Sequence, residues 1–471
     1  MYIPDTIVAP ATAPGSSAIA IIRLSGPAAI TIARRLWHPL TSSSTLVRRR
    51  LYLGTICDPA TGAALDQAML TVMPAPHSFT AEDVAELQCH GGPFLVRRII
   101  ALAAEAGARI AEPGEFTRRA FLNGRLDLTA AEAVTDLIHA NSEGALAKAL
   151  AQLSGALADR VRGLRHQLIT LRAHLEVAID FAGEDDVPAF TRGSIIAEID
   201  RLTADLTILH DSYTRGRIIR DGARATVIGK PNAGKSSLLN LLLGAERAIV
   251  TPIPGTTRDV IEETIRLGSG TLVLEDTAGL RTSAGEVERI GISRTRQHAA
   301  NADLILAVFD SSRPFDSDDA DLIALCNELD ASANHPRCGL ALLNKSDLPP
   351  CFDAVMLRGH GLNYPVATIS ALTGDGLSAL RDSLESAIET LSSDPFSNND
   401  GIVISRERHR DALARALDSL AAARAAALAS MPPEIIVVDV TAASDSLGLI
   451  TGEVGAEDIL DAIFREFCLG K

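Results

Sequence analysis

The run Gly229-Lys230-Pro231-Asn232-Ala233-Gly234-Lys235-Ser236 sits after an apolar stretch and before the helical run Ser237 to Leu243. It matches G-x-x-x-x-G-K-S in the strand-to-helix setting that makes such a run a phosphate-binding loop. Its glycines let backbone N–H groups turn inward on phosphates at a helix N-terminus, where the dipole favours negative charge. Lys235 is expected to reach the β- and γ-phosphates and Ser236 to ligate Mg²⁺, with Asn232, Ala233, Gly234 and Ser237 lining the same loop. Asp276-Thr277-Ala278-Gly279 follows the apolar run Leu272 to Leu274. An Asp at that strand end can hold the Mg²⁺ shell, and the Gly279 N–H can sense a γ-phosphate.

Base selection has its own residues. Asn344-Lys345-Ser346-Asp347 follows another apolar run, and the Asp347 carboxylate can accept from guanine N1–H and the 2-amino group, which adenine cannot supply. Ser370-Ala371-Leu372 stands where a backbone N–H meets guanine O6. These four boxes, in this order, imply GTP rather than ATP. Between the first two lies Thr251-Pro252-Ile253-Pro254-Gly255-Thr256-Thr257-Arg258-Asp259. Thr257 is expected to cap Mg²⁺ and the γ-phosphate, with Thr251 and Thr256 beside it at the nucleotide. Leu280 follows Asp-Thr-Ala-Gly where Ras-like enzymes place a water-orienting Gln, so hydrolysis needs another group. The nearby acidic candidates are Glu286 and Glu288.

The elements that must position these residues fall into four stretches. Residues 1–124 mix β-rich runs (Ala18 to Leu24, Gln67 to Met73, Val84 to Cys89) with a helical stretch near Val96 to Ala106, an α+β texture. Residues 125–215 are helical. Leu146, Leu150, Leu153, Leu157, Val161, Leu164, Leu168, Leu171 and Leu175 step by three or four and predict one apolar face, buried in an intramolecular bundle or a coiled coil. Residues 216–385 alternate strand and helix: Ala225 to Ile228, Thr271 to Glu275, Leu304 to Phe309, Leu340 to Leu343 and Val366 to Ile369 predict a parallel sheet with helices on both faces. Helical texture returns over 386–471 (Arg408 to Ala429, Ala456 to Phe467). The architecture expected is multidomain: an α+β N-terminal domain and an α-helical bundle domain interrupted by an inserted α/β Ras-like P-loop G domain.

Bulk composition narrows the function classes. A net charge of −15 argues against a broad nucleic-acid-gripping surface, though not against a nucleic-acid substrate handled with a partner. Aromatics at 4% leave little for base stacking. No signal-peptide pattern and no membrane-length apolar run is visible, so a cytoplasmic protein with no membrane association is expected. The six cysteines (57, 89, 326, 338, 351, 468) show no Cys-x-x-Cys pairing, and most are expected to be buried thiols.

These features together resemble the MnmE (TrmE) family of tRNA-modification GTPases over nearly the whole chain. The strongest carriers are Gly229 to Ser237, Gly255-Thr-Thr-Arg-Asp259, Asp276-Thr-Ala-Gly-Leu-Arg281 and Glu286-Val-Glu-Arg-Ile-Gly291. Outside the G domain, Asp5-Thr-Ile-Val-Ala9, Ile22-Arg-Leu-Ser-Gly-Pro27, Glu86-Leu-Gln-Cys-His-Gly-Gly-Pro93, Gly114-Glu-Phe-Thr-Arg-Arg-Ala-Phe-Leu-Asn123 and the terminal Cys468-Leu-Gly-Lys471 also match. The resemblance implies a potassium-dependent GTPase activated when two G domains meet, with K⁺ ligands at Asn232, Thr251, Ile253 and Thr256. It assigns the water-orienting acid to Glu288. It further implies an N-terminal dimerisation domain that binds a folate one-carbon donor (5,10-methylene-tetrahydrofolate, or 5-formyl-tetrahydrofolate as analogue) through Arg23, Glu86 and Lys471. Arg125 stands where the family has a Lys. Cys468 matches a cysteine beside the folate, a candidate nucleophile or proton carrier. The partner implied is a flavin (FAD) protein of MnmG type, in a heterotetramer that installs an aminomethyl-type group on C5 of the wobble uridine (position 34) of certain tRNAs. The rival is a ribosome-assembly GTPase of Era or Der type, which appends a small RNA-binding domain or a second G domain; neither is visible in this sequence.

Overall fold

A computed structural model describes residues 5–40, 46–180, 191–246, 263–268, 270–274, 299–333, 335–393 and 402–454, with 460, 463, 464, 467 and 470. They form two compact units, Met1–Thr135 with Gln152–Arg165 and Asp445–Lys471, and Asp136–Ala151 with His166–Ser444.

The first unit is built on a seven-stranded sheet. Its strands are β1 (Ile7–Pro10), β2 (Ser17–Ser25), β3 (Trp37–Pro39), β4 (Tyr52–Cys57), β5 (Ala64–Met73), β6 (Val84–Gly91) and β7 (Arg109–Ile110), in the order β3-β4-β5-β6-β2-β1-β7. Side chains alternate faces along each strand. Ile22, Leu24, Leu70, Val72, Leu87 and Cys89 therefore share one core, under the helices Ala29–Leu36 and Pro93–Glu105. Pro93 begins its helix because its missing N–H costs nothing there. Arg23, between Ile22 and Leu24, belongs to the opposite face, where Ile7 and Ala9 pack with Ala111 and with Phe116, the latter on the Glu115–Leu122 helix. Near the chain end, Phe464 and Phe467 join Leu128, Ala131 and Val134 in a separate small core.

The second unit holds a six-stranded sheet of β8 (Ala223–Gly229), β9 (Glu263–Leu267), β10 (Gly270–Leu274), β11 (Leu304–Asp310), β12 (Cys338–Asn344) and β13 (Val366–Thr368), ordered β13-β12-β11-β8-β10-β9. Five strands are parallel, and consecutive residues bury on both faces: Val227 and Leu306 in one core, Ile228 and Phe309 in the other. The sheet is not wholly parallel. β9 runs antiparallel to β10, because the two residues between them allow a hairpin but not a crossover.

The leucine stripe also departs from the expected single face. The helices Glu143–Leu153 and Ala156–Asp180 are separated at Gly155, whose φ of +96° ends the first and resets the phase of the second. Leu157, Val161, Leu164, Leu168, Leu171 and Leu175 are buried, whereas Leu146 and Leu150 are 44% and 50% exposed while Ala145 and Ala149 face inward. Further along, the helices Arg192–Asp211 and Glu407–Leu428 pack along one another within the chain. Ala412, Ala416, Ala423 and Ala427 are buried on the second of these, small side chains that permit close approach. Of the cysteines, Cys89 and Cys326 are buried and burial pushes their thiols up to about 11 and about 12, but Cys351 is exposed. Among the described residues no helix is long and apolar enough to cross a membrane.

Candidate functional site

The phosphate loop leaves β8 at Gly229 and enters the helix Lys235–Glu246. Two positions between them need left-handed backbone. Asn232 has φ of +63°, a region that Asn tolerates better than most residues. Gly234 has φ of +98°, and a Cβ there would lie 2.1 Å from Asn344 Nδ2. That close approach is how the base-selecting box reaches the phosphate loop. Asn344, 1% exposed at the end of β12, donates from Nδ2 to the Ala233 carbonyl at 2.8 Å and accepts at Oδ1 from the Ala371 N–H at 2.9 Å. One buried amide thus joins three of the four sequence boxes.

The other residues of these boxes are equally constrained. Lys235 donates from Nζ to the carbonyls of Gly229 and Lys230, each at 2.7 Å. Ser236 and Ser237 are exposed in the first turn of the helix. Lys345, itself left-handed at φ +67°, donates to Asp310 Oδ2 at 2.6 Å. Burial opposes the Asp310 charge, but Lys345 and Ser312 outweigh it and hold that carboxyl below the usual range. Asp347 is exposed and accepts from the Ser370 hydroxyl at 2.5 Å, which leaves most of its lone pairs to a ligand. The Ser370 N–H donates to the Asp375 carbonyl at 2.9 Å, and the Ala371 N–H is engaged by Asn344. Leu372, 84% exposed, completes the loop.

Two contacts here escaped the sequence. Lys230, an unassigned position of the motif, places its ammonium 2.5 Å from Asp316 Oδ1 and 2.7 Å from Asp319 Oδ2. Burial alone would lower its pKa, yet the two carboxylates raise it. Asp316 and Asp319 form the capping box of the helix Ser317–Ala331, a D-x-x-D signature visible in the sequence, although nothing local ties it to a lysine 86 residues away. At the other end of the sheet, the fully buried Asp303 accepts from Arg217 Nη2 at 2.5 Å and from the Arg224 N–H at 2.8 Å. Thr251, Ile253, Thr256, Thr257, Asp276, Thr277, Ala278, Gly279, Leu280, Glu286 and Glu288 lie outside the described residues.

In the first unit, strand register places Arg23 directly across from Glu86, and Arg23 Nε donates to Glu86 Oε1 at 2.8 Å. The guanidinium carbon lies 5.4 Å from the Phe79 ring centroid and 5.8 Å from that of Phe116, and the buried Arg23 Nη1 has no hydrogen-bond partner among the described residues. Arg119, 2% exposed, donates to Asp5 Oδ1 at 2.5 Å, to Glu115 Oε1 at 2.9 Å and to Glu82 Oε2 at 3.2 Å. Burial resists the Asp5 and Glu115 charges, but Arg109 and Arg119 outweigh it and depress both carboxyls. Arg125 is exposed just beyond the Glu115–Leu122 helix. Cys468 and Lys471 lie outside the described residues, but Gly470 is buried against β1, where a Cβ would meet the Pro10 carbonyl at 1.9 Å.

The family model described as "GTP-binding protein TrmE N-terminus" matches residues 6–125, and the model described as "MnmE helical domain" matches residues 128–468. The tRNA modification GTPase MnmE of Geotalea uraniireducens is 40% identical over 100% of both chains. The protein of that name from Geobacter metallireducens is 43% identical over 100% of both. The solved G domain of the T. maritima FeoB iron transporter is 27% identical, covering 36% of this chain and 99% of its own with a TM-score of 0.25. The full-length relatives and the two family models agree from one end of the chain to the other: it belongs to the MnmE (TrmE) family.

Proposed function

We propose that this chain is a GTP-hydrolysing enzyme of tRNA modification. The observation that carries the nucleotide half is the Asn344 bridge, which holds the phosphate loop at Ala233 and the guanine-facing loop at Ala371 in one arrangement. With the loops so held, Asp347 is placed to accept from guanine, and the N-terminus of the 235–246 helix, with its favourable dipole, is placed for phosphate. Lys235 already bonds two loop carbonyls, so its ammonium reaches the β- and γ-phosphates by exchanging one oxygen set for another. Mg²⁺ is held by Ser236 and Thr257, and Asp276, Thr277, Ala278 and Gly279 complete the phosphate end.

The finer reading follows the family. Asn232, exposed in its left-handed turn, takes K⁺ with Thr251, Ile253 and Thr256. A cation there neutralises charge that builds between the β- and γ-phosphates. Glu288 orients the attacking water in place of a Gln. In the first unit, the unpartnered Arg23 Nη1 beside the Phe79 and Phe116 rings suits a flat, anionic ligand such as a folate. Arg23 and Glu86 bind it, with Arg125 and Lys471 as further cations, and the folate supplies a one-carbon unit when bound. Gly470 against Pro10 brings the chain end to the strand beside Arg23, which supports Cys468 as the thiol that serves this site.

The homodimer reading is supported by the same sheet face. Leu53, Met69, Gln88 and Ile21 are lateral neighbours across four strands, and Leu53 and Met69 are 47% and 42% exposed. A flavin protein of MnmG type completes the heterotetramer, and the product is an aminomethyl-type group on C5 of the wobble uridine, in the cytoplasm. Nucleoside analysis of tRNA from a strain lacking this protein tests the pathway. Loss of the C5-modified wobble uridine is expected; normal modification would leave an Era- or Der-type GTPase switch instead.

A further inference from the structure

The segment 6–57 contains six arginines (23, 34, 35, 48, 49 and 50) and no aspartate or glutamate, in a chain whose net charge is −15. Folding gathers five of those arginines along one border of the first unit. The helix Ala29–Leu36 ends on Arg34 and Arg35 and runs directly into β3, the outermost strand of the sheet. β3 pairs antiparallel with β4, so its far end, Pro39, lies beside Gly54, and Arg48–Arg50 lead into that same end of β4. About 10 Å of strand separates the two arginine groups, from three residues at roughly 3.3 Å each.

All five are exposed, and among the described residues none forms an ion pair. Several arginines elsewhere in this unit are matched with acids: Arg23 with Glu86, Arg98 with Asp58, Arg109 with Asp5 and Glu115, Arg162 with Glu453. The arginine loop is held in place. The Arg49 N–H donates to the Val72 carbonyl and its Nη2 to the His77 carbonyl, both at 2.8 Å. Arg50 lies over the Tyr52 ring, 6.0 Å from its centroid. Arg97, on the neighbouring Pro93–Glu105 helix, adds another exposed cation.

Protection of an edge strand from pairing needs only a charge or two, Lys or Glu, and does not call for five arginines with no acid among them. A border that is uniformly cationic on an acidic chain is suited to a polyanion. We propose that this edge, Arg34, Arg35, Arg48 and Arg50 around β3 and β4, docks the phosphate backbone of the tRNA substrate. The inference rests on the tRNA-modifying reading and gives this chain its own substrate contact. Guanidinium forks match phosphate oxygens, and an exposed anchored border suits a backbone contact that carries no sequence information.

The test is binding of fluorescein-labelled tRNA to the full chain across a series of KCl concentrations, comparing wild type with R34Q/R35Q/R50Q. Each lost phosphate contact lowers the slope of log K against log salt by about 1, so the triple variant should lose about 3. Affinity at low salt should fall at least roughly tenfold, while intrinsic GTP hydrolysis and the thermal transition stay unchanged. The R34K/R35K/R50K variant should keep the slope, and Arg358→Gln, at an exposed arginine of the other unit, should behave as wild type. An unchanged slope and affinity in a folded glutamine variant overturns the proposal. So does a variant that keeps its tRNA affinity but loses dimerisation by light scattering, which would assign the edge to a second copy of the chain. Wild type that binds no tRNA at any salt would instead defeat the underlying reading of function.

Discussion

Replacing Asn344 by alanine tests whether one buried amide organises the nucleotide site. The change removes a donor to the Ala233 carbonyl and an acceptor for the Ala371 N–H, at a position 1% exposed. Each buried polar group left without a partner costs about 1–3 kcal/mol. Ala233 is buried and its carbonyl bears most of that cost, whereas the loop at Ala371 is half-buried and water relieves part of it. A loss of about 2–4 kcal/mol follows, shared between folding and the ordering of two loops on binding. If half of it falls on binding, GDP affinity drops about five- to thirty-fold, at 1.4 kcal/mol per decade. Titration with a fluorescent GDP analogue, beside a thermal melt, separates the two shares. Asn344→Asp is the informative partner variant, because it keeps the acceptor for Ala371 but sets an oxygen against the Ala233 carbonyl. It should weaken binding at least as much as alanine if the phosphate-loop bond dominates. Wild-type affinity and an unchanged melt in Asn344→Ala would refute the bridge as an energetic feature.

Arg217→Met strips the fully buried Asp303 of its charged partner while leaving the Arg224 N–H in place, and chemical denaturation should show the G-domain sheet destabilised by about 3–5 kcal/mol. Lys148 gives a pH prediction. Its stem is partly exposed, but its ammonium is enclosed, donates to the Gly216 carbonyl at 2.8 Å, and is pushed down to about 7 by burial and then by Arg220. The unfolded chain, with the ordinary value of 10.5, binds more protons than the folded one between those limits. Stability relative to Lys148→Met should therefore rise with pH from about 7 to 10, by at most about 1.4 kcal/mol per unit, and an equal pH slope in both proteins would contradict it. Lys230→Met should raise KM for GTP several-fold with a smaller change in kcat, because it frees the phosphate loop from Asp316 and Asp319 without touching Lys235. GTP hydrolysis should be faster in KCl than in NaCl, and equal rates would remove Asn232 as a potassium ligand.

Local sequence revealed most of the site's chemistry and little of its support. The phosphate loop, the Asp347 box and the strands around them are short-range patterns: an apolar run, a turn and a helix start occupy consecutive residues, so they could be read in order. Arg23 and Glu86 were read only through family resemblance, because their pairing is a matter of strand register between segments 63 residues apart. The same limit hid Lys230 with its capping box, Arg217 with Asp303, and the Arg119 network, each a long-range meeting of ordinary charged residues. The leucine stripe failed for a different reason. A spacing of three or four continues across Gly155 on paper, but a left-handed glycine ends one helix there and restarts the next in a new phase.

The two lysines of the phosphate loop show what that hidden layer contributes. By sequence both are cations of one loop, five residues apart, and only Lys235 holds the lysine position of the motif. In the fold they are unequal. Lys230 faces two carboxylates of a helix cap, so its charge is already matched and binding phosphate would strand Asp319, whose side chain is 5% exposed. Lys235 donates to the neutral carbonyls of Gly229 and of Lys230 itself. Exchanging those two carbonyls for phosphate oxygens strands no carboxylate, whereas drawing Lys230 out of its cap would. The motif assigns Lys235 to phosphate, and the capping box of a distant helix engages Lys230 elsewhere.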